Sequence, residues 1–414
     1  MDPANTEMRI SVKGLGLGMY VSRLDRPWLE TAFPLEGVLV TTIAELQHLQ
    51  SVCAHVYIDT RRGSAPELRF MELEHALVQE VLGREEIEDL RATRWTLTTE
   101  FAAELPQAVA AHAVLEENIV EIMGDLAAKR AVDLPKLQHG VESMVASILR
   151  NPSAFAWLKE MKRTDDYSYH HAMGCAIWAA NFGRYLGLDK HELHDLALGG
   201  LLCDIGKIQL PAELFSGTGP LSADEWSVMK LHVDLGVSIV SKIPGLPRGI
   251  AEMVATHHER HDGSGYPRGL QGMEIPIFGR IMGLVDSYDA MTSTRPHAPG
   301  RSPHRAVEEL YNHRGTLFQA ELVEQFIQSC GIYPTGSLVE LHSGEVGVVI
   351  EVHSLKRLRP RMMMLLDKDK RPLDTFREMD LGEVSDDPEE ERMSVKCGLP
   401  SGAYGIRANE LFLD

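Results

Sequence analysis

Residues 250–258 read IAEMVATHH, and this stretch decides the kind of fold that the chain can form. Its apolar residues Ile250, Met253 and Val254 fall at positions i, i+3 and i+4 of a helix, and His257 and His258 fall at i+7 and i+8. Both imidazoles therefore share the face that should be buried. Burying a polar side chain without a partner costs roughly 2 to 7 kcal/mol. The pattern predicts a helical core in which these two histidines have partners.

Four other segments between about residues 165 and 290 repeat the pattern, and each is expected to be a helix with a metal-competent group facing the core. In chain order these groups are His171, Asp204, His232 and Asp286. A lone histidine on an apolar face is usually a satisfied core residue, but five helices that share this feature indicate a common partner. Metal ions would remove the cost of burying these groups. Imidazole and carboxylate donors with little thiolate favour Fe, Mn, Zn or Co over Ca or Mg.

The number of donors predicts two metal ions. Six or so ligands are more than one tetrahedral ion requires. A pair of metal ions commonly bridges a hydroxide that hydrolyses phosphoesters. The histidines and aspartates therefore indicate a two-metal hydrolase site.

Composition narrows the class of protein further. A formal charge of −19 argues against binding to long nucleic acid, which requires a basic surface. The chain contains no run of about 18 apolar residues, so no membrane span is expected, and its N-terminus lacks the pattern of a signal peptide. The 5 cysteines are odd in number and widely scattered, which is typical of free thiols in a reducing compartment. We therefore expect a cytoplasmic protein.

The pattern along the chain predicts four segments. Residues 1–66 are expected to form a small β-rich domain, residues 67–134 a helical connector, residues 135–332 the helical domain with the histidines, and residues 333–414 a β-rich extension. Two interpretations of the connector stay open: a coupling or dimerisation arm, or ordinary helices packed on the next domain. Within the extension, a run of methionines at 362–364 predicts a core strand, and a solvated tail or loop is expected from about residue 385.

Four short motifs follow one another in the helical domain. They are Cys203-Asp204-Ile205-Gly206-Lys207, His257-His258-Glu259-Arg260, Asp262-Gly263-Ser264-Gly265-Tyr266-Pro267 and Asp286-Ser287-Tyr288-Asp289-Ala290-Met291. In this order they resemble the HD-GYP branch of the HD phosphohydrolases over about residues 165–330. Residues 9–63 are similar to a small N-terminal domain of unknown role that often accompanies HD-GYP domains, and the segment from residue 336 resembles a β-rich extension that often follows them.

The resemblance implies a fold and an activity. The fold is mainly α, an all-helical HD-type metal-dependent phosphohydrolase core with β-rich flanks. The family opens cyclic di-GMP to linear pGpG, and often onward to GMP, with a metal-bridged hydroxide as nucleophile at a dinuclear site. Two divalent transition metal ions are implied as cofactors, Fe or Mn first and Zn, Co or Ni as others. Besides the substrate, a homodimer and signalling proteins are the partners to consider.

The resemblance also implies roles for individual residues. It makes metal ligands of His171, Asp204, His232, His257, His258 and Asp286, with Asp204 bridging the two ions. It places Lys207 near the scissile phosphate, and Arg295 in contact with the phosphate or base of the substrate. The loop Gly265-Tyr266-Pro267 is expected to wall the site. Glu259 is expected to be a structural partner, or to orient an imidazole, rather than to bind metal.

Several positions depart from the family pattern. Cys203 replaces the histidine of the His-Asp pair, and two interpretations remain open. Either its thiolate binds metal and alters the metal preference, or it is a small core residue and one ion is held weakly. Tyr167 stands where some members carry a carboxylate for a third metal, so two ions are expected. Gly217 and Ala298 stand where basic residues are frequent, which removes positive charge from the expected phosphate side.

These departures leave two rivals to cyclic di-GMP hydrolysis. The first is a degenerate domain that binds cyclic di-GMP or a protein partner without turnover. The second is a related phosphohydrolase that acts on another cyclic or linear nucleotide, because the sequence does not define contacts to guanine.

Overall fold

The computed structural model describes residues 7–26, 37–60, 62–64, 86–91, 93–161, 167–216, 219, 221–293, 300–353, 356–383, 393–400 and 402–406. The chain forms two compact units, Met1–Leu82 and Gly83–Asp414. None of the helices in the described ranges combines the length and the apolar character needed to cross a bilayer.

A four-stranded antiparallel sheet organises the first unit. Its strands are β1 (Glu7–Ser11), β2 (Tyr20–Leu24), β3 (Val38–Leu39) and β4 (His55–Asp59), in the order β1-β4-β2-β3. The strands predicted around residues 9–12 and 55–59 are confirmed, and they pair with each other in the register that joins Arg9 to Tyr57. Side chains that alternate along these strands, including Ile10, Val56 and Ile58, form a separate small core.

The first unit also contains a helix, Ile43–Val52, in a region that was expected to be β-like throughout. The side chain of Thr42 accepts a hydrogen bond from the backbone N–H of Glu45, and the side chain of Glu45 accepts one from the backbone N–H of Thr42. This reciprocal cap is visible in the sequence as Thr-x-x-Glu before an apolar residue. The prediction was wrong here because the short helix has only one buried residue, Leu49, and hence little periodicity.

The second unit is mainly helical, as predicted. Its helices are Phe101–Ala127, Leu134–Arg150, Pro152–Met161, Tyr167–Leu186, Lys190–Leu202, Glu213–Ser216, Ala223–Lys230, His232–Val240, Arg248–Thr256, Ile277–Thr292, Pro303–Asn312 and Ala320–Cys330. The aromatic rings of Trp178, Phe182, Tyr288 and Phe326 lie in its core, where Trp178 and Tyr288 meet edge to face at 4.9 Å. This core fixes the helices that carry the histidines.

The long helix Phe101–Ala127 packs along the helix Leu134–Arg150. Leu115, Ile119 and Ile122 on its inner face belong to the same apolar core as the histidine-bearing helices. Glu104 is also buried on this face, where it accepts hydrogen bonds from Ser147 and Arg150. Over its described part, the connector therefore agrees with the second interpretation, ordinary helices packed on the next domain.

A five-stranded antiparallel sheet follows the helices. Its strands are β5 (Leu338–Leu341), β6 (Val346–Glu351), β7 (Arg361–Leu366), β8 (Pro372–Asp380) and β9 (Val395–Gly398), in the order β8-β7-β6-β5-β9. Met362 and Met364 are fully buried in β7, so the predicted core strand is confirmed. The expected tail was wrong for residues 395–398, which return to pair with β5, while the acidic run at 386–391 lies outside the described residues.

Candidate metal centre

Two of the predicted metal-binding side chains lie within helices. His171 belongs to the helix Tyr167–Leu186 and Asp286 to the helix Ile277–Thr292, and both side chains are buried. These two helices pack against each other, so their inner faces meet. The helix periodicity read from the sequence is sufficient to place both groups.

The other predicted donors lie at helix ends, so the expectation that each would come from within a helix was wrong. Asp204 lies in the turn that follows the helix Lys190–Leu202. His232 is the first residue of its helix, His257 is the C-cap residue of another, and His258 follows it. At a helix end the direction of a side chain is set by the turn and its neighbours, which periodicity does not describe.

Close packing fixes the turn that carries Asp204. Gly206, in the 3-10 turn Ile205–Gln209, lies so near the helix His232–Val240 that a Cβ atom there would be 1.9 Å from the carbonyl oxygen of His232. A glycine is therefore required for Asp204 and His232 to approach each other. The glycine of the Cys203-Asp204-Ile205-Gly206-Lys207 motif thus has a packing role.

Asp204, His232, His257 and His258 form the first donor group, with one ligand atom from each lying within 4.8 Å of the others. Asp204 Oδ1 is 3.3 Å from His232 Nε2 and 3.7 Å from His257 Nε2. The His258 ring centroid is 4.0 Å from that of His257 and 4.9 Å from that of His232. These side chains are buried or nearly so, which gives a compact donor set shielded from water.

The hydrogen bonds of two histidines leave acceptor atoms facing one another. His232 Nδ1 donates to the carbonyl of Met229 at 2.7 Å, and His257 Nδ1 donates to the carbonyl of Val254 at 2.8 Å. In a neutral imidazole the other nitrogen, Nε2, then carries a lone pair. Both Nε2 atoms and Asp204 Oδ1 are buried without a hydrogen-bond partner among the described residues. Three converging lone pairs repel each other unless a cation lies between them, so the residues fit a metal ion.

A second donor group lies beside the first and consists of His171, Cys175 and Asp286. His171 Nε2 is 3.1 Å from Asp286 Oδ1 and 3.4 Å from Asp204 Oδ2, and Cys175 Sγ is 3.8 Å from both nitrogens of the imidazole. Asp204 therefore faces the first group with one carboxylate oxygen and the second group with the other. Cys175 was not predicted as a donor, although its i+4 spacing from His171 on one helix could have shown it.

Asp289 is a second residue that the sequence analysis did not assign. His171 Nδ1 donates to Asp289 Oδ2 at 2.7 Å, Ser293 Oγ donates to the same oxygen at 3.0 Å, and Lys159 Nζ lies 2.9 Å from Oδ1. Gly174 permits this approach, since a Cβ atom there would be 2.0 Å from Asp289 Oδ1. The carboxylate thus holds His171 so that Nε2 faces Asp286 and Asp204, an arrangement that is common around metal-binding histidines.

Charges within the cluster shift the pKa values of its members. Burial lowers the pKa of His232, and burial together with the neighbouring His257 holds the pKa of His258 well below its ordinary value. Burial alone would lower the pKa of His257, but the contact with Asp204, together with the nearby Cys203 and Asp286, outweighs burial and raises the pKa. Burial opposes ionisation of Asp286, but the nearby His171 and His258 lower its pKa. The carboxylates are therefore charged and attract a cation.

Cys203 and Lys207 lie beside the metal-competent side chains, but neither residue belongs to one of the two donor groups. Cys203 is fully buried, and its thiol donates to the carbonyl of Gly200 at 3.2 Å, so it belongs to neither donor group within the described part of the chain. Both interpretations of Cys203 stay predictions. Lys207 forms an ion pair with Asp204 Oδ2 and keeps 27% of its side chain exposed, which brings a positive charge to the rim of the cluster.

In the loop Gly265-Tyr266-Pro267, the Tyr266 ring stacks on His258 with centroids 4.8 Å apart. That this loop walls the substrate site stays a prediction. Glu259 anchors this loop rather than an imidazole: its carboxylate accepts hydrogen bonds from the backbone N–H groups of Arg268, at 2.8 Å, and Leu270, at 2.9 Å. Of the two roles expected for Glu259, the structure shows that of a structural partner. The guanidinium of Arg260 donates to the carbonyl of His257 at 3.0 Å and braces the histidine pair.

Some of the predicted positions cannot be placed. Arg295, Gly217 and Ala298 lie outside the described residues, as does the side chain of Tyr167. Their expected roles stay predictions.

Comparison with protein families gives the class of protein that the fold and the donor cluster define. Residues 149–322 match the HD domain family, and this range contains every residue of the cluster. Residues 7–137 match a domain family of unknown function, and residues 338–386 match the KOW domain associated with HD domains. The helical core is therefore an HD domain, and HD-domain phosphohydrolases depend on metal.

Similar proteins of known activity are phosphodiesterases that act on cyclic dinucleotides. A cyclic di-GMP phosphodiesterase of Pseudomonas aeruginosa is 31% identical over 358 residues, which cover 86% of this chain and 84% of that protein. A cyclic di-GMP phosphodiesterase of Thermotoga maritima is 36% identical over 166 residues, 40% of this chain and 45% of that protein. The 3'3'-cGAMP-specific phosphodiesterase 2 of Vibrio cholerae is 35% identical over 159 residues, 38% of this chain and 30% of that protein. The chain thus spans less than half the length of the second and third relatives.

The chain belongs to the HD-GYP family of phosphodiesterases. Among solved structures, an HDG"Y"P protein from Bdellovibrio bacteriovorus aligns with a TM-score of 0.46 at 15% sequence identity, over 77% of this chain and 98% of that chain.

Proposed function

We propose that this phosphodiesterase hydrolyses cyclic di-GMP to linear pGpG, with GMP as a further product, at a site that holds two divalent metal ions. Fe and Mn are the first candidates for the ions, and Zn, Co and Ni are the others. The two relatives named cyclic di-GMP phosphodiesterases support the choice of substrate. The cytoplasm is the expected compartment, because all five cysteines are unpaired thiols.

One observation carries the two-metal proposal. Asp204 turns one carboxylate oxygen toward His232 and His257, and the other toward His171. A carboxylate shared in this way between two donor groups is the arrangement that suits a pair of ions. On this basis the first ion would be held by Asp204 and the three histidines of the first group, and the second by His171, Asp286 and Asp204.

Residues around the donor groups would orient the ligands, bind the substrate phosphate and exclude water. When bound, the ions would activate water and offset charge on the phosphoryl oxygens. Asp289 holds the His171 ring in place, and the carbonyls of Met229 and Val254 keep Nε2 of the other two rings free to bind. Lys207 would steady the negative phosphate at the rim, because its ammonium lies there and remains partly exposed. Tyr266 and its loop would exclude water from one side.

A non-catalytic receptor for cyclic di-GMP is the second candidate, and the orientation of Cys203 favours it. The thiol donates to Gly200 inside the core and leaves the second donor group without a side chain from this position. A weakly held second ion would lower turnover while leaving a nucleotide pocket intact. A third candidate is a phosphodiesterase for another cyclic dinucleotide, which the Vibrio cholerae relative brings into consideration.

Metal content measured together with turnover separates these candidates. We would purify the full-length protein, determine its metals by elemental analysis, and assay cyclic di-GMP and 3'3'-cGAMP with Fe, Mn, Zn or no added metal. About two equivalents of metal and metal-dependent pGpG are expected. His257→Ala should lose both metal and turnover. His191→Ala is the matched control, because His191 is 80% exposed on another helix.

Each candidate function predicts a different result in these assays. One equivalent of metal or less, with tight binding of cyclic di-GMP and no product under any metal, would establish the receptor instead. Faster hydrolysis of 3'3'-cGAMP than of cyclic di-GMP would reassign the substrate. Cys203→Ala resolves the two interpretations of that residue: unchanged metal content and preference would make Cys203 a core residue, and loss of one equivalent would make it a ligand.

A further inference from the structure

Trp226 lies on the short helix Ala223–Lys230, none of whose residues is buried. Its indole is 45% exposed. Tryptophan is highly buried on average, because its ring contributes a large apolar surface. A single exposed aromatic residue needs no explanation by itself, so the surroundings of Trp226 decide whether it has a role.

Aromatic contacts connect this indole to the donor cluster. The Trp226 and Tyr266 rings meet edge to face with centroids 5.9 Å apart and an interplanar angle of 83°. Tyr266 in turn stacks on the imidazole of His258 at 4.8 Å and lies edge to face with His232 at 6.4 Å. The exposed indole is therefore two ring contacts away from a proposed metal ligand, at the rim of the site.

The helix that carries Trp226 is capped at its N-terminus and bonded to a site residue at its C-terminus. Ser222 and Glu225 form a reciprocal cap at its N-terminus. At its C-terminus the carbonyl of Met229 accepts the hydrogen bond from His232 Nδ1. Although the helix buries no side chain, the position of its indole relative to the site is thus determined.

We infer that Trp226 is a specificity-determining residue that stacks on a purine base of the substrate. In a cyclic dinucleotide each phosphate is flanked by nucleosides on both sides. A phosphate bound at the donor cluster therefore places a base just outside it, where the indole stands. Stacking of a base on an aromatic side chain strengthens binding and tolerates any base, since every base has a π face. Trp226 would select for a nucleotide over a simple phosphodiester without distinguishing guanine from adenine.

This inference rests on the proposed function, and the test compares substrate binding with turnover. In the full-length protein, Trp226→Ala is expected to raise KM for cyclic di-GMP by about 10-fold or more, and to leave kcat within about 2-fold and metal content unchanged. Trp226→Phe, which restores a ring, should recover most of the affinity. Phe376→Ala is the matched control, because Phe376 is also exposed, at 41%, but lies on β8 of the C-terminal sheet.

Failure of the inference differs from failure of the proposed function. If the wild type turns over cyclic di-GMP and Trp226→Ala has an unchanged KM, stacking is excluded and the proposed function stands. Loss of metal or of kcat in Trp226→Ala would instead assign the residue to holding His232 in position, and would also overturn the inference. If the wild type binds cyclic di-GMP without turnover, the same change is expected in Kd. If it neither binds nor cleaves any purine cyclic dinucleotide, both proposals fall.

Discussion

Replacing Asp289 by Asn tests whether the buried ion pair behind the metal centre supports both folding and metal binding. Asp289 is 0% exposed and pairs with Lys159, whose side chain is 2% exposed. Asn has the same shape, so it removes the charge without opening a cavity. Removing one partner of a buried pair costs roughly 3 to 5 kcal/mol, because the other charge remains buried. Glu160 still lies 3.0 Å from Lys159, so we expect the lower end, about 3 kcal/mol.

The same substitution should weaken metal binding. Asp289 accepts the Nδ1 hydrogen bond of His171 and so sets the direction of Nε2. Loss of such a partner typically costs 10–100-fold in metal affinity. We therefore expect Asp289→Asn to weaken one of the two metal-binding events by about this factor while leaving the other unchanged, since the first donor group does not contact Asp289.

Urea unfolding of the metal-free protein measures the first effect, with tryptophan fluorescence as the signal because Trp157 and Trp178 are buried in the helical core. Metal titration of the apo protein measures the second. Lys159→Met combined with Asp289→Asn should recover part of the stability lost in Asp289→Asn, because the stranded ammonium is removed. The recovery is partial, since Glu160, whose side chain is 10% exposed, then loses Lys159 as its partner. Glu308→Gln is the control for losing an exposed ion pair, with Arg305, and should unfold like the wild type.

Three results would contradict this reasoning. A loss of less than about 1 kcal/mol would show that water or Glu160 compensates Lys159 fully. No recovery in the double variant would assign the loss to something other than the stranded charge. Equal weakening of both metal-binding events would mean that Asp289 acts on the whole cluster rather than through His171.

Two further predictions concern the site loop and the N-terminal unit. Glu259→Gln removes one of the two carboxylate acceptors that hold the backbone N–H groups of Arg268 and Leu270, so hydrogen exchange at one of these two amides should speed up while metal content stays the same. Unchanged exchange at both amides would show that the loop is held by other contacts. In the N-terminal unit, burial and then the charge of Asp25 raise the pKa of Cys53 to about 11, so the folded state keeps the proton that the unfolded chain loses near pH 8.5–9. The stability that this thiol contributes is present below pH 8.5 and is lost as the pH rises toward 11. The difference in urea midpoint between the wild type and Cys53→Ala should therefore shrink between these two pH values. A difference that does not change with pH would refute the raised pKa.

Much of the helical core could be read from periodicity. A helix repeats every 3.6 residues, so apolar spacing identifies the buried face wherever a helix is long and packed. This argument placed His171 beside Cys175 and Trp178, and Asp286 on the inner face of its helix, as the structure has them. The confirmed strands around residues 9–12 and 55–59 follow from alternation in the same way.

Periodicity was insufficient where the chain leaves a helix. Asp204 was expected on a helix face, but it lies in a turn whose geometry depends on Gly206 packing against the backbone of His232. That contact joins residues far apart in the sequence. The same limit applies to the segment that carries His232: one helix was expected there, but the chain forms the helix Ala223–Lys230, which buries no residue, and then the helix His232–Val240, which buries His232.

By itself, the sequence determined the mainly helical core and the residue types that could bind metal, because these depend on local spacing and on the chemistry of each side chain. The class of protein followed from the resemblance of its four ordered motifs to the HD-GYP family. Only the tertiary structure decided which atoms face one another. It turned Cys203 toward Gly200, brought Asp289 and Lys159 behind His171, and set the two oxygens of Asp204 toward different donor groups. The physical reason is that a side chain's partners come from other helices, and their distance across the core is set by packing rather than by position along the chain.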